Sequence, residues 1–384
     1  MSAPAASAQL TKEARATQAF AAELDEAAKA PDFVGLAVAV VRDGRIVLTR
    51  TYGVREAGRN EKVTPDTVFR LASVSKGFAG ALAAIEVREG KFGWEDPIVQ
   101  SVPQFKLKTP RDTARVTIED ILSHRTGLPP FAYDNLLEAG TTPLEILNKY
   151  GGLKLSCAPG SCFGYQNTSF NMIAAVIEQA SGKSYTQTLR DQILDPLGMK
   201  TASFGLEGLK STGNWARPHI RKNDAWQATP VKEPYYKVPA AGGMNASITD
   251  LSRWLAAQMG ARPDVLPPDV VAELRKPRVS TPSETNRQRI LKTPVKSTNY
   301  GLGWRVFDYA GHKLVNHSGG VEGYFAMVAW LPEKNSGIVI LSNTRGARAG
   351  KILPTWLDYE LGLPKTDWFR LSEIAEATTA TGSD

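Results

Sequence analysis

The chain has 384 residues, 42% of them hydrophobic and 22% charged, enough apolar surface for a large core in one big domain or two lobes. Its 46 Lys and Arg against 39 Asp and Glu leave a net charge of +7 that is spread along the sequence, which argues against nucleic-acid binding. No run approaches the roughly 18 consecutive apolar residues of a spanning helix, so no membrane span is expected.

At the start, Ala6-Ser7-Ala8 before Gln9 reads like the small-residue end of an export signal, with an ordinary Ala-rich tail as the alternative; the expected location is periplasmic or secreted, or else cytoplasmic. The runs Gly35–Val41 and Arg45–Tyr52 flank Asp43-Gly44 and predict a β-hairpin. From Ser73 a helix is expected to about Glu89, with Val74, Phe78, Leu82 and Ile85 at helical spacing and Gly90 as its stop. Thr117 and Ser247 each precede an acid by three residues and predict helix caps. Cys157 and Cys162 bracket a Pro159-Gly160 turn; they are either two reduced thiols or a short-loop disulfide, and with no ligand-spaced His or Cys beside them no metal site is expected.

A second helix begins near Thr168 and is closed by Gly182. The segment 261–299, rich in Pro and weak in periodicity, predicts mostly surface loops that border a cleft. Apolar runs return at Lys313–Asn316, Tyr324–Leu331 and Gly337–Ser342. Strands at both ends with helices between predict an α/β (α+β) fold. An antiparallel sheet made from N- and C-terminal strands is flanked by helices and carries an inserted, mainly helical lobe. The expected organisation is an N-terminal tail and first helix over 1–30, one catalytic domain over 31–365, and a C-terminal tail over 366–384 that includes the frayed-looking Glu373–Asp384. Within the domain, 31–75 and 300–365 form the α/β lobe and 76–299 the helical lobe.

Three segments carry groups fit for chemistry. Ser73-Val74-Ser75-Lys76 sits at a helix start, so an ammonium one turn on lies beside a hydroxyl where free N–H groups and the helix dipole favour an oxyanion. In Tyr165-Gln166-Asn167, a tyrosine serves as a base only if nearby positive charge lowers its pKa, and Lys76 is the expected source. His317-Ser318-Gly319-Gly320 opens an apolar strand whose small residues admit a substrate backbone to the edge. Taken singly, these are also a helix cap, a buried tyrosine with a capping Asn, and a turn with a satisfied histidine.

In this order and spacing the three segments resemble the serine β-lactamase and penicillin-binding-protein superfamily, in the branch of class C β-lactamases, D,D-peptidases, D-aminopeptidases and family VIII carboxylesterases. Leu122-Ser123-His124-Arg125-Thr126-Gly127-Leu128-Pro129, Asp195-Pro196-Leu197-Gly198-Met199, Pro239–Gly243 and Tyr300-Gly301-Leu302-Gly303-Trp304 resemble further landmarks of that branch. The resemblance spans about 34–363 and implies a β-lactamase/transpeptidase-like fold. It also implies Ser73 as nucleophile, Lys76 and Tyr165 as shared general base and acid, and the N–H groups of Ser73 and Gly320 as oxyanion hole. Asn167, His317, Ser318, Gly319 and Gly320 would bind substrate, with Asn167 also holding Lys76. No cofactor or metal is implied, and no obligate protein partner; the partner is a small-molecule or peptide acyl substrate, whether β-lactam, D-amino-acid peptide or small ester.

One departure stands out. His317-Ser318-Gly319 replaces the K-T-G triad typical of the β-lactamases, which removes a fixed positive charge and weighs against efficient β-lactam turnover. The alternatives are a family VIII-like carboxylesterase with weak β-lactamase activity, or a non-catalytic homologue. A Ser-His-Asp hydrolase fits poorly, with no G-x-S-x-G and four histidines. A P-loop at Gly182-Lys183-Ser184 lacks its earlier glycine, because position 177 is Ile.

Overall fold

Gly35–Arg42 and Arg45–Gly53 pair as an antiparallel hairpin turning at Asp43 (φ 50°) and Gly44 (φ 71°), as the Asp-Gly signal predicts. The computed structural model describes residues 10–346 and 348–372; the Ala6-Ser7-Ala8 signal and the tail 373–384 lie outside the described residues. Around the hairpin grows an eight-stranded sheet. Its order is Arg45–Gly53, Gly35–Arg42, Ser336–Ser342, Tyr324–Leu331, His312–Val321, Arg305–Tyr309, Val295–Tyr300 and Val279–Ser280, every neighbouring pair antiparallel. N- and C-terminal strands therefore share one sheet, and the fold is mixed α/β, a large antiparallel sheet flanked by helices.

The segment 261–299 departs from its expected loops. It contains helices Pro268–Leu274 and Pro282–Ile290 and supplies the last two strands of the sheet. Its prolines were read as breakers, but Pro268 and Pro282 occupy the first turn of each helix, where a missing N–H costs nothing and the fixed φ suits the helix. The Thr117 cap is a full capping box with Asp120. Ser247 caps Asp250 N–H, while the Asp250 carboxylate turns to Thr201 instead.

The chain divides into two compact units, 34–345 and a smaller one formed by 1–33 with 346–384. In the smaller unit, helix Lys12–Ala27 meets helix Ile352–Leu361 through the Phe20 and Tyr359 rings and a hydrogen bond from Tyr359 to Glu23. In the larger unit, helix Ser75–Arg88 is buried on nearly every face. Phe78 stacks on Trp254 at 4.0 Å between centroids. Two glycines let the backbone of this helix approach the 300–304 turn: a Cβ on Gly77 would lie 2.5 Å from the Trp304 ring, and one on Gly80 would collide with the Leu302 carbonyl. The Tyr300–Trp304 landmark is thus the seat of the helix.

Phe78→Ala removes the helix aromatic that stacks on Trp254 and is expected to cost about 3–5 kcal/mol of unfolding free energy in urea titration. A loss below about 1 kcal/mol would show that the helix is held elsewhere.

Candidate active site

Ser73 stands in the short 3-10 turn Ala72–Val74 that leads into helix Ser75–Arg88. Ala72, directly before it, has φ 47°, a left-handed conformation that is costly for a residue with a Cβ and gathers at functional sites. The turn is tied down locally: Ser75 Oγ donates to the Ala72 carbonyl (2.7 Å) and accepts from Met244 N–H (3.1 Å). Strand His312–Val321 lies against it so closely that a Cβ on Gly319 would overlap the Leu71 carbonyl and sit 3.1 Å from Ser73 N. Glycine at 319 is therefore a packing requirement, and it brings Gly320 to the wall of the Ser73 cavity.

Lys76 follows one turn on, with no exposed surface. Its Nζ is 2.7 Å from Asn167 Oδ1, 2.9 Å from the Ala241 carbonyl and 3.4 Å from Ser73 Oγ. Asn167 is in turn oriented by Asp134, whose Oδ2 accepts from Nδ2 at 2.6 Å. Burial drives the Lys76 pKa well below its ordinary value; Asp134 opposes the shift and Arg305 adds to it. The Pro239–Gly243 landmark gains a role here, because its Ala241 holds the amine.

Tyr165 follows closely on the short loop that the cysteines close. Cys157 and Cys162 form a disulfide, Cα–Cα 6.2 Å, so the open choice between thiols and bridge falls to the bridge. The loop is laced to the 124–131 segment by Ser156 N–H to Gly127 O (2.8 Å), Gly160 N–H to Arg125 O (2.7 Å), Gly164 N–H to His124 O (2.8 Å) and Phe131 N–H to Tyr165 O (2.7 Å). Tyr165 also hydrogen-bonds Ser73. Its pKa moves opposite to the expectation: burial pushes it up to about 12, and the cation that opposes this is Arg305, not Lys76. At neutral pH it is a phenol.

The third segment divides. Gly320 lines a cavity of about 130 Å³ with Ser73, Tyr165 and Asn167, whereas His317 has no exposed surface and does not line it. His317 Nδ1 is 2.9 Å from the Ser318 carbonyl, which only accepts, so Nδ1 carries the proton and Nε2 faces the Tyr300 hydroxyl (3.0 Å) and Arg305 Nη1 (3.2 Å). Burial, then Arg305 and Lys76, push its pKa well down, and the ring stays neutral. The cation absent from the motif is supplied from the neighbouring strand by Arg305, which spends it on Glu284 at 2.9 Å. Ser318 is half-buried beside it on the same strand.

Asp134, Arg305 and Glu284 carry no local motif, and sequence reading missed them; Ala241 and Tyr300 stand inside landmarks whose roles it did not read. His124 was visible as part of a landmark; its ring lies 4.3 Å from that of Tyr165 and its Nδ1 accepts from Gln166 N–H. A wider cleft of about 860 Å³ shares Tyr235, Gly320 and Val321 with the Ser73 cavity. Among the described residues, no group of His, Cys, Asp and Glu is placed to hold a metal ion, and no helix is long and apolar enough to cross a membrane.

A family model described as Beta-lactamase matches residues 20–358. An unguisins hydrolase of Aspergillus campestris is 31% identical over 81% of this chain and 58% of its own length. Protein flp of Staphylococcus aureus is 27% identical over 83% of this chain and 61% of its own. The chain thus spans less than two thirds of these curated relatives. An octameric penicillin-binding protein homologue from Pyrococcus abyssi aligns with TM-score 0.77 and 25% identity, covering 90% of this chain and 77% of that one. EstCE1, a hydrolase with promiscuous acyltransferase activity, aligns with TM-score 0.74 over 91% of this chain and 98% of that one; at 21% identity the likeness is one of fold.

Because the disulfide closes the loop that leads into Tyr165, reduction is expected to lower the unfolding free energy, by up to about 2 kcal/mol on the chain-entropy model, and with it the melting temperature, and to lower kcat more than KM. Intact mass with and without reductant reports the bridge. Two thiols alkylated in the folded, unreduced protein would contradict it.

Proposed function

The chain belongs to the β-lactamase family, whose fold is that of β-lactamases and penicillin-binding proteins and whose members are hydrolases; from this premise we propose that it is a serine hydrolase working through an acyl ester on Ser73. One observation carries the reading, the three neighbours of Lys76 Nζ. Two of them, Asn167 Oδ1 and the Ala241 carbonyl, are pure acceptors at bonding distance. A neutral amine has two hydrogens, so both are committed there and the lone pair is left for the third neighbour, Ser73 Oγ. Burial favours that neutral form.

Ser73 Oγ then attacks the substrate carbonyl as its proton passes to Lys76. The N–H groups of Ser73 and Gly320 take up the oxyanion at the end of the helix. Tyr165, still protonated, gives its proton to the departing nitrogen or oxygen as the acyl bond to it breaks, and is reprotonated from Lys76. Water repeats the sequence on the acyl ester, with the Lys76–Tyr165 pair accepting its proton, and frees the acid and Ser73. Of the substrate classes, small esters and amides fit better than β-lactams, because the third motif is neutral at His317 and Arg305 is offset by Glu284.

Ser73→Ala is expected to abolish hydrolysis of p-nitrophenyl esters and labelling by a fluorophosphonate; wild-type activity in that variant would end the reading. Lys76→Ala and Tyr165→Phe should each lose orders of magnitude in kcat, and the double variant far less than their product, since they act as one unit. The base is the neutral amine, so kcat/KM should rise as pH climbs through the depressed Lys76 pKa. It should then stay level through mildly alkaline pH, because Tyr165 keeps its proton until about 12. An alkaline fall at pH 8–9 would assign the acid to a group other than Tyr165.

A further inference from the structure

Helix Pro282–Ile290 is tied to the protein through its first half. Glu284 pairs with Arg305 at 2.9 Å, and Thr285 shares a hydrogen bond with Thr298 at 2.8 Å. Among the described residues, no side chain from Asn286 to Lys292 makes a hydrogen bond or ion pair outside this helix and its closing turn, where Gln288 and Thr293 bond each other. A helix of nine residues with no buried face has little of its own to stabilise that second half. The untied half ends on Ile290, at 80% the most exposed large apolar side chain of the described residues, and Leu291 follows at 42%. Arg287, Arg289, Lys292 and Lys296 flank the pair; all are exposed, and none is in an ion pair among the described residues. The sequence has no Asp or Glu between Glu284 and Asp308. Those two acids are turned elsewhere: Glu284 holds Arg305, and Asp308, across the ladder from Ser297, accepts from Gly311 N–H.

We propose that this tip, Arg287–Lys296, docks on an anionic lipid surface, with Ile290 and Leu291 entering the acyl-chain boundary and the four cations resting on headgroups. Charge complementarity gives the sign of the partner, because cations with no acid in reach gain most from a negative surface. The aliphatic pair gives its kind. A soluble polyanion would neutralise the cations but give Ile290 and Leu291 no apolar phase, whereas a bilayer provides both, and the apolar stems of Arg and Lys bridge the two. Backbone geometry presents the pair: Leu291 closes the helix and Lys292, at φ 55°, turns the chain back toward strand Val295–Tyr300, so both aliphatics stand at the outer turn. Docking concentrates the enzyme at a surface and is independent of the chemistry at Ser73.

The test is sedimentation of the full chain with vesicles of phosphatidylcholine alone and of phosphatidylcholine with about 30 mol% phosphatidylglycerol, in about 0.1 M salt. Partitioning is expected to rise about tenfold or more with the anionic lipid and to fall back in about 0.5 M salt. Arg287→Gln with Arg289→Gln should lower it about tenfold, and so should Ile290→Ser with Leu291→Ser, which leaves every charge in place. None of the four residues lines the Ser73 cavity, so hydrolysis of a soluble p-nitrophenyl ester should stay at the wild-type rate and report an intact fold. Both cysteines are bridged, so Ile290→Cys offers one thiol for a nitrobenzoxadiazole label, whose emission should brighten and shift to the blue on anionic vesicles. Failure to sediment with the anionic vesicles overturns the proposal. Binding that survives Ile290→Ser with Leu291→Ser, and that soluble polyglutamate matches, overturns it as well and makes the patch a polyanion site.

Discussion

The amine of Lys76 is out of water and bonded to an amide oxygen and a backbone carbonyl, where most buried lysines have a carboxylate. Much of the surrounding structure answers to that one placement. Keeping the charge there would cost several kcal/mol without a partner, so the group is biased to the neutral base. The bias holds only while Asn167 presents oxygen rather than nitrogen to the amine, and an amide is free to flip unless its far side is fixed. Asp134 fixes it, because a carboxylate accepts only and so demands the NH₂. The Pro239–Gly242 helix completes the arrangement from a third part of the chain.

Close backbone approach is the second constraint. Strand His312–Val321 reaches the nucleophile turn only because Gly319 has no side chain, and helix Ser75–Arg88 reaches its seat only through Gly77 and Gly80. Gly303, at φ 78°, closes the seat from the other side, where any Cβ would strike the Lys76 carbonyl. The strain at Ala72 is sustained by this rigid surround, which fixes the backbone N–H of Ser73 before any substrate arrives.

The parts of this design legible in the sequence are those that recur locally. Ser73 and Lys76 share a helix turn, Tyr165 and Asn167 a loop, and the hairpin and strand runs announce themselves by β-branched content. What sequence could not supply is what depends on distant chain segments meeting. Ala241 reaches Lys76 from 165 residues away and Asp134 acts on it through Asn167 from 58 away, by the residue numbers. The Tyr165 pKa was misjudged because the neighbouring charge was visible in the motif and the burial was not. The prolines of 261–299 were misjudged because a helix breaker and a helix starter are the same residue one position apart. His317 read as a cleft residue by its motif, but it lies in a run of buried strand positions, under the Arg305 and Tyr300 side chains.

Glu284 belongs to helix Pro282–Ile290, which buries none of its residues. A segment of that kind accumulates substitutions with little penalty to folding. Yet its carboxylate is what offsets Arg305, and Arg305 lies directly behind the third motif. Loss of this half-buried carboxylate from a peripheral helix would therefore leave the Arg305 guanidinium without its counter-charge behind the third motif, while every residue lining the cavity stayed the same. In this fold, charge preference can evolve from the outside in, and lineages with identical catalytic motifs need not share it.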